Sequence, residues 1–574
     1  MKTSLYLLLI FALISCKKQI SNTPVVHSLP PVTGCTVPPT DDKAWYTIKS
    51  RAPIIPGLGD LHFKITTTSD SAQLYFDQGL RLSYAFNHAE AARSFYYASQ
   101  LDTTCAMCYW GFAYVLGPNY NAGMEPDSYQ RAFNAIQTAK KWLKENNTKE
   151  KDLIYALATR YTADPVENRA PLDSMYSAEM KKLYEKYPTD PEIGALYAES
   201  IMDLHPWDLW DKKGNPKSWT TAIINTLESI MKLYPEHPGL HHFYIHAVEA
   251  SYSPERGIAS ANKFDMGLVP NSGHLVHMPS HIYIRTGDYH LGSVANIKAA
   301  SIDSTYITTC HAQGTYPLAY FPHNNHFLSA TATMEGNQKL ALTAAYKVRN
   351  HISTSLMKDA AWSTLQHYYT IPFFILIKFG SWNQILTATE PSTLVYPQAI
   401  YHYARGMAHI GLAQLDSAQF ELNKLEAFSN DSTLQQMTIW GINKMSNIVS
   451  IASLVLNAKI QQYKKDYPQS IALFKKAIAM EDALNYQEPP DWFFSIRHEL
   501  GDVLTDASKY QDAIKTYTED LTWWPKNGWA LSGLKKVYTL TKNTAALDKV
   551  DKQLTDVWGY ADTELDGSRV KNLN

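Results

Sequence analysis

At 574 residues the chain is too long to fold around one compact core, so it holds either several domains or an array of repeats. With 52 basic against 54 acidic side chains the net charge is −2, which excludes the basic footprint of a nucleic-acid binder and leaves no acidic tail. The 37 tyrosines and 14 tryptophans suit a helical protein with a wide inner surface.

Residues 1–16 read as a targeting segment. Lys2 is its charged flank and Leu5 to Ile14 its apolar run, too short to span a membrane as a mature helix. The run ends in Leu13-Ile14-Ser15-Cys16, which resembles a bacterial lipobox and predicts lipidation of Cys16 as the first mature residue. The expected location is therefore outside the cytoplasm, anchored by lipid on a periplasmic face or the cell surface. Residues 17–60, rich in Pro, Ser, Thr and Lys and without periodicity, read as a flexible tether. Cys105-Ala-Met-Cys108 is a single CxxC, read as helix packing or a local structural pair.

From about residue 72 a repeat of roughly 34 residues appears, with aromatic, small and apolar side chains at fixed places. A frame starting at Ala72 offers Tyr75, Gly79, Leu82, Ala91, Phe95 and Ala98. One starting at Phe494 offers Leu500, Gly501, Leu504, Ala513, Tyr517 and Pro525. Further starts fall at 106, 150, 191, 238, 273, 322, 366, 399, 451 and 528. This is the tetratricopeptide (TPR) pattern of paired antiparallel helices. The predicted fold is all-α, a right-handed TPR solenoid of about twelve helix pairs over residues 70–550, with a C-terminal tail at 551–574.

The frame locates the histidines. In such repeats positions 2, 5, 9, 12 and 13 of the first helix face the concave groove. His274, His277 and His281 take positions 2, 5 and 9 of the unit at Gly273, and His323 and His326 take 2 and 5 of the unit at Pro322. His367 is position 2 of the next unit. The preferred register of the unit at Pro238 puts His242 and His246 at 5 and 9 and Glu249 at 12, while Glu199 and Asp203 take 9 and 13 of the unit at Pro191. Glycines and alanines set this frame, so the convergence of five repeats, 191–370, on one wall is independent of the histidines themselves.

Neutral imidazoles and carboxylates at helical spacing are what a transition-metal site requires, with copper, zinc or iron as candidates. The candidate ligands are His242, His246, His274, His277, His281, His323 and His326, a pool large enough for a two-metal centre. Glu199, Asp203 and Glu249 are candidate acid, base or bridge. Trp110, Tyr114, Arg285 and His367 are candidate groove contacts. Pro279 either sets the angle between His277 and His281 or delays the helix start. The competing reading is a groove that binds a peptide or protein partner without metal, or histidines that only bond one another. No phosphate-binding glycine loop, nucleophile elbow or HExxH motif is present.

The blocks FNHAEAARSF, CAMCYWGFAYVLGPNYNAG, MDLHPWDLWDKKG, GHLVHMPSHIYIRTGDY and YFPHNNHFL resemble a family of exported bacterial TPR proteins, many with lipoprotein-type signals. The resemblance covers roughly residues 70–430. It implies fold and location, and it transfers no catalytic residue. The two functional expectations are a metal-dependent enzyme, hydrolytic or oxidative, and a lipid-anchored binding scaffold.

Overall fold

The computed structural model describes residues 43–47, 50–144, 147–310, 320–389, 392–429 and 431–571. The expected signal segment and Cys16 lie outside the described residues. After a short helix α1 (Lys43–Thr47), the chain runs through twelve helix pairs. These are α2 (Asp70–Ser83) with α3 (His88–Leu101), α4 (Ala106–Val115) with α5 (Tyr129–Lys141), α6 (Thr148–Ala158) with α7 (Ala170–Lys186), and α8 (Pro191–Met202) with α9 (Thr220–Met231). Next come α10 (Pro238–Val248) with α11 (Ile258–Asp265), the broken pair α12 (Gly273–His277) and α13 (Pro279–Thr286) with α14 (Tyr289–Cys310), α15 (Phe321–Met334) with α16 (Gln338–His351), and α17 (Thr364–Lys378) with α18 (Trp382–Thr387). The last four are α19 (Val395–Gly411) with α20 (Leu415–Ser429), α22 (Met445–Tyr463) with α23 (Tyr467–Glu481), α24 (Arg497–Asp506) with α25 (Tyr510–Trp523), and α26 (Gly528–Leu540) with α27 (Thr544–Val557). A single turn, α21 (Thr433–Gln436), precedes a hairpin of β1 (Thr438–Ile439) and β2 (Asn443–Lys444). The chain is an all-α solenoid of TPR type, as its repeat predicts. Among the described residues no helix is long and apolar enough to cross a membrane.

The repeat forms because small residues let large ones in. Phe95 of α3 lies between Gly79 and Gly111: a Cβ on either would meet its ring at 2.9 or 2.3 Å. Near the other end of the chain Tyr517 of α25 lies between Gly501 and Gly533 in the same way, at 2.4 and 2.3 Å. Each aromatic ring thus locks its own helix pair to the first helix of the next.

The coil is tight enough to close on itself. Unit one reaches unit five, where the Tyr84 carbonyl accepts from His242. The last unit folds back on the middle of the chain. Tyr289 donates to the Pro525 carbonyl (2.9 Å), Lys526 pairs with Asp288 (2.7 Å), and Trp529 donates to the Thr333 carbonyl (3.0 Å). The groove is therefore a chamber rather than an open trough.

Two boundaries differ from expectation. The tether does not extend to residue 60, because the segment from Ser50 packs on α2: Tyr75 donates to the Ala52 carbonyl and Gln78 to that of Pro53. Residues 551–571, the described part of the expected tail, are structured. They begin inside α27 and continue into a hairpin of β3 (Leu565–Asp566) and β4 (Arg569–Val570), where Ser568 is buried and donates to the His498 carbonyl (2.7 Å). Proline-rich or polar composition marks both stretches, but main-chain carbonyls and a few apolar anchors suffice to hold them.

The glycine clasps make a direct test. Gly501→Ala drives a methyl into the Tyr517 ring and should lower stability by about 1–3 kcal/mol in urea denaturation. Gly559→Ala, which meets nothing closer than 3.9 Å, should stay within about 0.5 kcal/mol.

Candidate metal centre

Pro279 breaks the first helix of the sixth unit at Met278, so His274 and His277 end α12 while His281 belongs to the first turns of α13. Proline has no N–H to offer at that point, yet Met278, which joins the two short helices, keeps right-handed helical dihedrals (φ −51°, ψ −35°). The break does not separate the imidazoles: His277 Nε2 and His281 Nε2 are 2.9 Å apart. His242 and His246 stand one turn apart on unbroken α10, and His242 Nε2 lies 3.1 Å from His274 Nε2.

Hydrogen bonds on the far side of each ring fix the tautomers. His242 Nδ1–H donates to the Tyr84 carbonyl (2.7 Å). His277 Nδ1–H donates to Asn296 Oδ1 (2.6 Å), and Asn296 shows its oxygen there because its amide donates to the Gly292 carbonyl. Glu249 accepts from His246 Nδ1 (2.7 Å) on one oxygen and from His281 Nδ1 (2.5 Å) on the other. Four rings thus carry their protons on Nδ1 and turn bare Nε2 lone pairs inward. This is the arrangement that outer hydrogen bonds impose on metal-ligating histidines. The His277–His281 pair brings two such nitrogens to within 2.9 Å, a contact that requires a proton or a metal cation between them. His246 Nε2 has no partner at all.

The imidazoles fall into two triads, His242/His246/His274 and His277/His281/His323, with the ligand atoms of each triad within 4.8 Å of one another. A phenylalanine covers each. Phe86 stacks on His246 and His274 and meets His242 edge-on at 4.5 Å. Phe327 packs on His277, His281 and His323 at 4.5 to 5.1 Å. Burial, reinforced by neighbouring imidazoles, holds His242, His274, His277 and His323 well below the usual imidazole range. Burial alone would raise Glu249, but the flanking His281 and His246 bring it down to about 2, so it is a carboxylate.

A cavity of about 480 Å³ opens onto both triads, at His246 and His274 of one and His281 and His323 of the other. Tyr120, Trp207, Tyr320 and Trp440 contribute aromatic walls, and Arg169, Asp173 and Asp203 a polar end. Trp440 comes from the tip of the β1–β2 hairpin, far along the chain, where Trp440 and Gly441 both take positive φ.

Other candidates lie elsewhere. His326 belongs to neither triad; it stacks on Phe493 and faces His367 with ring centroids 6.1 Å apart. His367 is fully buried and bonded to Tyr396 (2.7 Å). Trp110 and Tyr114 are core, not groove contacts: they stack on each other, Trp110 donates to the Leu153 carbonyl, and Tyr114 donates to Glu199. Glu199 is consequently walled off from the cavity, and burial together with nearby Asp203 pushes it up to about 8. Asp203 reaches the cavity but is paired with buried Arg160 (2.6 Å). Arg285 does not line the cavity: it sits over the Tyr486 ring and bonds the Ser251 carbonyl, while the Tyr486 hydroxyl lies 3.4 Å from Glu249. Cys105 and Cys108 are buried in the core, with Cys105 capping α4. Phe86, Trp207, Trp440, Arg169 and Asn296 were not singled out by the repeat frame, since four of them lie outside helices and Asn296 lies on a second helix.

No family model matches the chain, and no curated protein matches it. Solved structures with related architecture include the human IFIT1 dimer with m7Gppp-AAAA, at 12% identity over 86% of this chain and 95% of that one, with a TM-score of 0.33. Another is Naa15/Naa10 bound to HypK-THB, at 10% identity over 85% and 88%, with a TM-score of 0.22. At these scores the likeness carries no residue-level correspondence.

Burial lowers the pKa of His367 from 6.5 to about 3. The unfolded chain therefore binds a proton there that the folded chain refuses, and stability present above pH 6.5 is lost as pH falls toward 3. His367→Gln should flatten the pH dependence of unfolding between pH 6.5 and 4 by about one proton, about 1.4 kcal/mol per pH unit, as measured by urea denaturation across that range.

Proposed function

We propose that this TPR solenoid is a lipid-anchored, exported protein whose chamber holds a transition-metal centre, and that it acts as a metal-dependent enzyme. The observation that carries the metal reading is the facing pair of bare Nε2 atoms on His277 and His281, 2.9 Å apart, each with its Nδ1 proton already committed. Two ligands each about 2.0–2.1 Å from one ion sit about 2.9 Å apart at a right angle and about 3.3 Å apart at the tetrahedral angle, so little movement would seat an ion between them. An open peptide groove would instead spread its contacts along the wall. The cavity beside the triads gives room for a small substrate, and its aromatic sides limit water.

In this reading the imidazoles bind, Glu249 orients two of them and balances charge, and Asp173 and Asp203, both held by Arg160, are the carboxylates lining the cavity for handling a proton. The lipobox-like run ending at Cys16 supports an exported location, in which metal is drawn from outside the cytoplasm.

Elemental analysis of the purified full chain tests the centre. The expected result is one or two equivalents of copper, zinc or iron, lost in His277→Ala/His281→Ala with helicity kept and retained in His326→Gln. Absence of metal after reconstitution with all three would overturn the reading in favour of a scaffold that binds a peptide or protein partner. The anchor has its own check: palmitate labelling of the expressed chain should disappear in Cys16→Ala, and the variant should leave the membrane fraction.

A further inference from the structure

The metal reading leaves open which metal and what it binds, and the donor set bears on both. Among the described residues three groups could hold an ion: the triads His242/His246/His274 and His277/His281/His323, which share no residue, and His246/Glu249/His281, which takes one imidazole from each triad. The site therefore has two positions, side by side, since His246 of one triad and His281 of the other have ring centroids 5.4 Å apart. Both positions are all-imidazole. Glu249, the carboxylate nearest them, gives one oxygen to His246 and the other to His281. Asp203 is held by Arg160.

That matters for charge. Two dications bound by six neutral rings would bring four positive charges into a site where five of the six histidines are buried, offset by one carboxylate in the layer behind. Burying uncompensated charge is costly, and the one carboxylate grouped with these imidazoles, Glu249, is already taken by the Nδ1 protons of His246 and His281, so it orients ligands instead of bridging ions. Monovalent copper halves the charge, and imidazole is a good copper ligand. The space between the two positions is also the place where the cavity touches both triads.

We infer that the triads hold a pair of copper ions and that dioxygen is the molecule taken up between them. In this step each Cu(I) gives up one electron and becomes Cu(II). Dioxygen accepts both electrons, loses its π bond and remains as a bridging dianion. No proton moves, and the dianion supplies the negative charge the protein does not. The aromatic part of the cavity, between Trp207 and Trp440, is then left for an oxidisable organic molecule with a flat apolar face.

The test is anaerobic loading of the full chain with Cu(I), followed by oxygen. The expected result is two coppers per chain, an intense near-ultraviolet charge-transfer band on oxygenation, and no paramagnetic resonance signal, because the two Cu(II) ions are coupled. His242→Gln should bind one copper, show an ordinary Cu(II) signal after oxidation, and lack the band. His323→Gln, which alters the most exposed ligand, repeats the test in the other triad if the first variant does not fold. Two zinc ions with no copper retained, a single copper, or two uncoupled Cu(II) signals would each overturn the inference while leaving a metal centre in place. Failure to bind any metal would remove the metal reading as well.

Discussion

Two nitrogen lone pairs 2.9 Å apart in a dry interior are not a neutral arrangement. The rings of His277 and His281 cannot turn to relieve it, because Asn296 holds one from behind and Glu249 the other. Glu249 in turn cannot move without releasing His246. Much of the middle of the protein is organised to keep these atoms where they are. A buried polar atom without a partner costs on the order of 1–3 kcal/mol, and His246 Nε2, His274 Nδ1 and His326 Nε2 all lack one. A fold that tolerates such atoms side by side has stability to spare from elsewhere, and here it comes from twelve stacked helix pairs.

The solenoid supplies more than stability. In a loosely wound repeat array each unit touches only its neighbours, and a groove histidine would face water. This coil is wound tightly enough for Phe86, in the first inter-helix turn, to cover imidazoles of the fifth and sixth units. The hairpin carrying Trp440 and the segment carrying Gln487 close the chamber from the C-terminal side. Long-range closure turns a one-dimensional architecture into one with an inside, and only an inside can hold imidazoles neutral and dry.

Much of this was legible in the sequence, and the reason is the glycines. Phe95 between Gly79 and Gly111, and Tyr517 between Gly501 and Gly533, are contacts that only the absence of a Cβ permits, so the repeat register is written in residues that cannot drift. The predicted repeat starts fall within about six residues of the beginning of a first helix, and His242, His246, His274, His277, His281 and His323 of the fifth, sixth and seventh units are brought together. The frame failed where position along a helix stops determining surroundings. His326 and His323 are three residues apart on α15, yet only His323 joins a triad. Trp110 and Tyr114 occupy groove positions, but they stack on each other and bond Leu153 and Glu199, and so become core. Phe86, Trp207 and Trp440 lie in connections, where no period constrains the side chain and the partner is set by how tightly the coil closes.

The break at Pro279 shows what does and does not divide the histidines. It falls between His277 and His281, which stay together in one triad 2.9 Å apart. His274 and His277 share the unbroken α12 and yet belong to different triads, His274 facing His242 of the preceding unit and His277 facing His323 of the following one. The division is therefore made by the neighbouring units and not by the proline. A helix inside a stack is flanked on both sides, so one row of histidines meets two sets of partners, and two triads arise from the stacking itself.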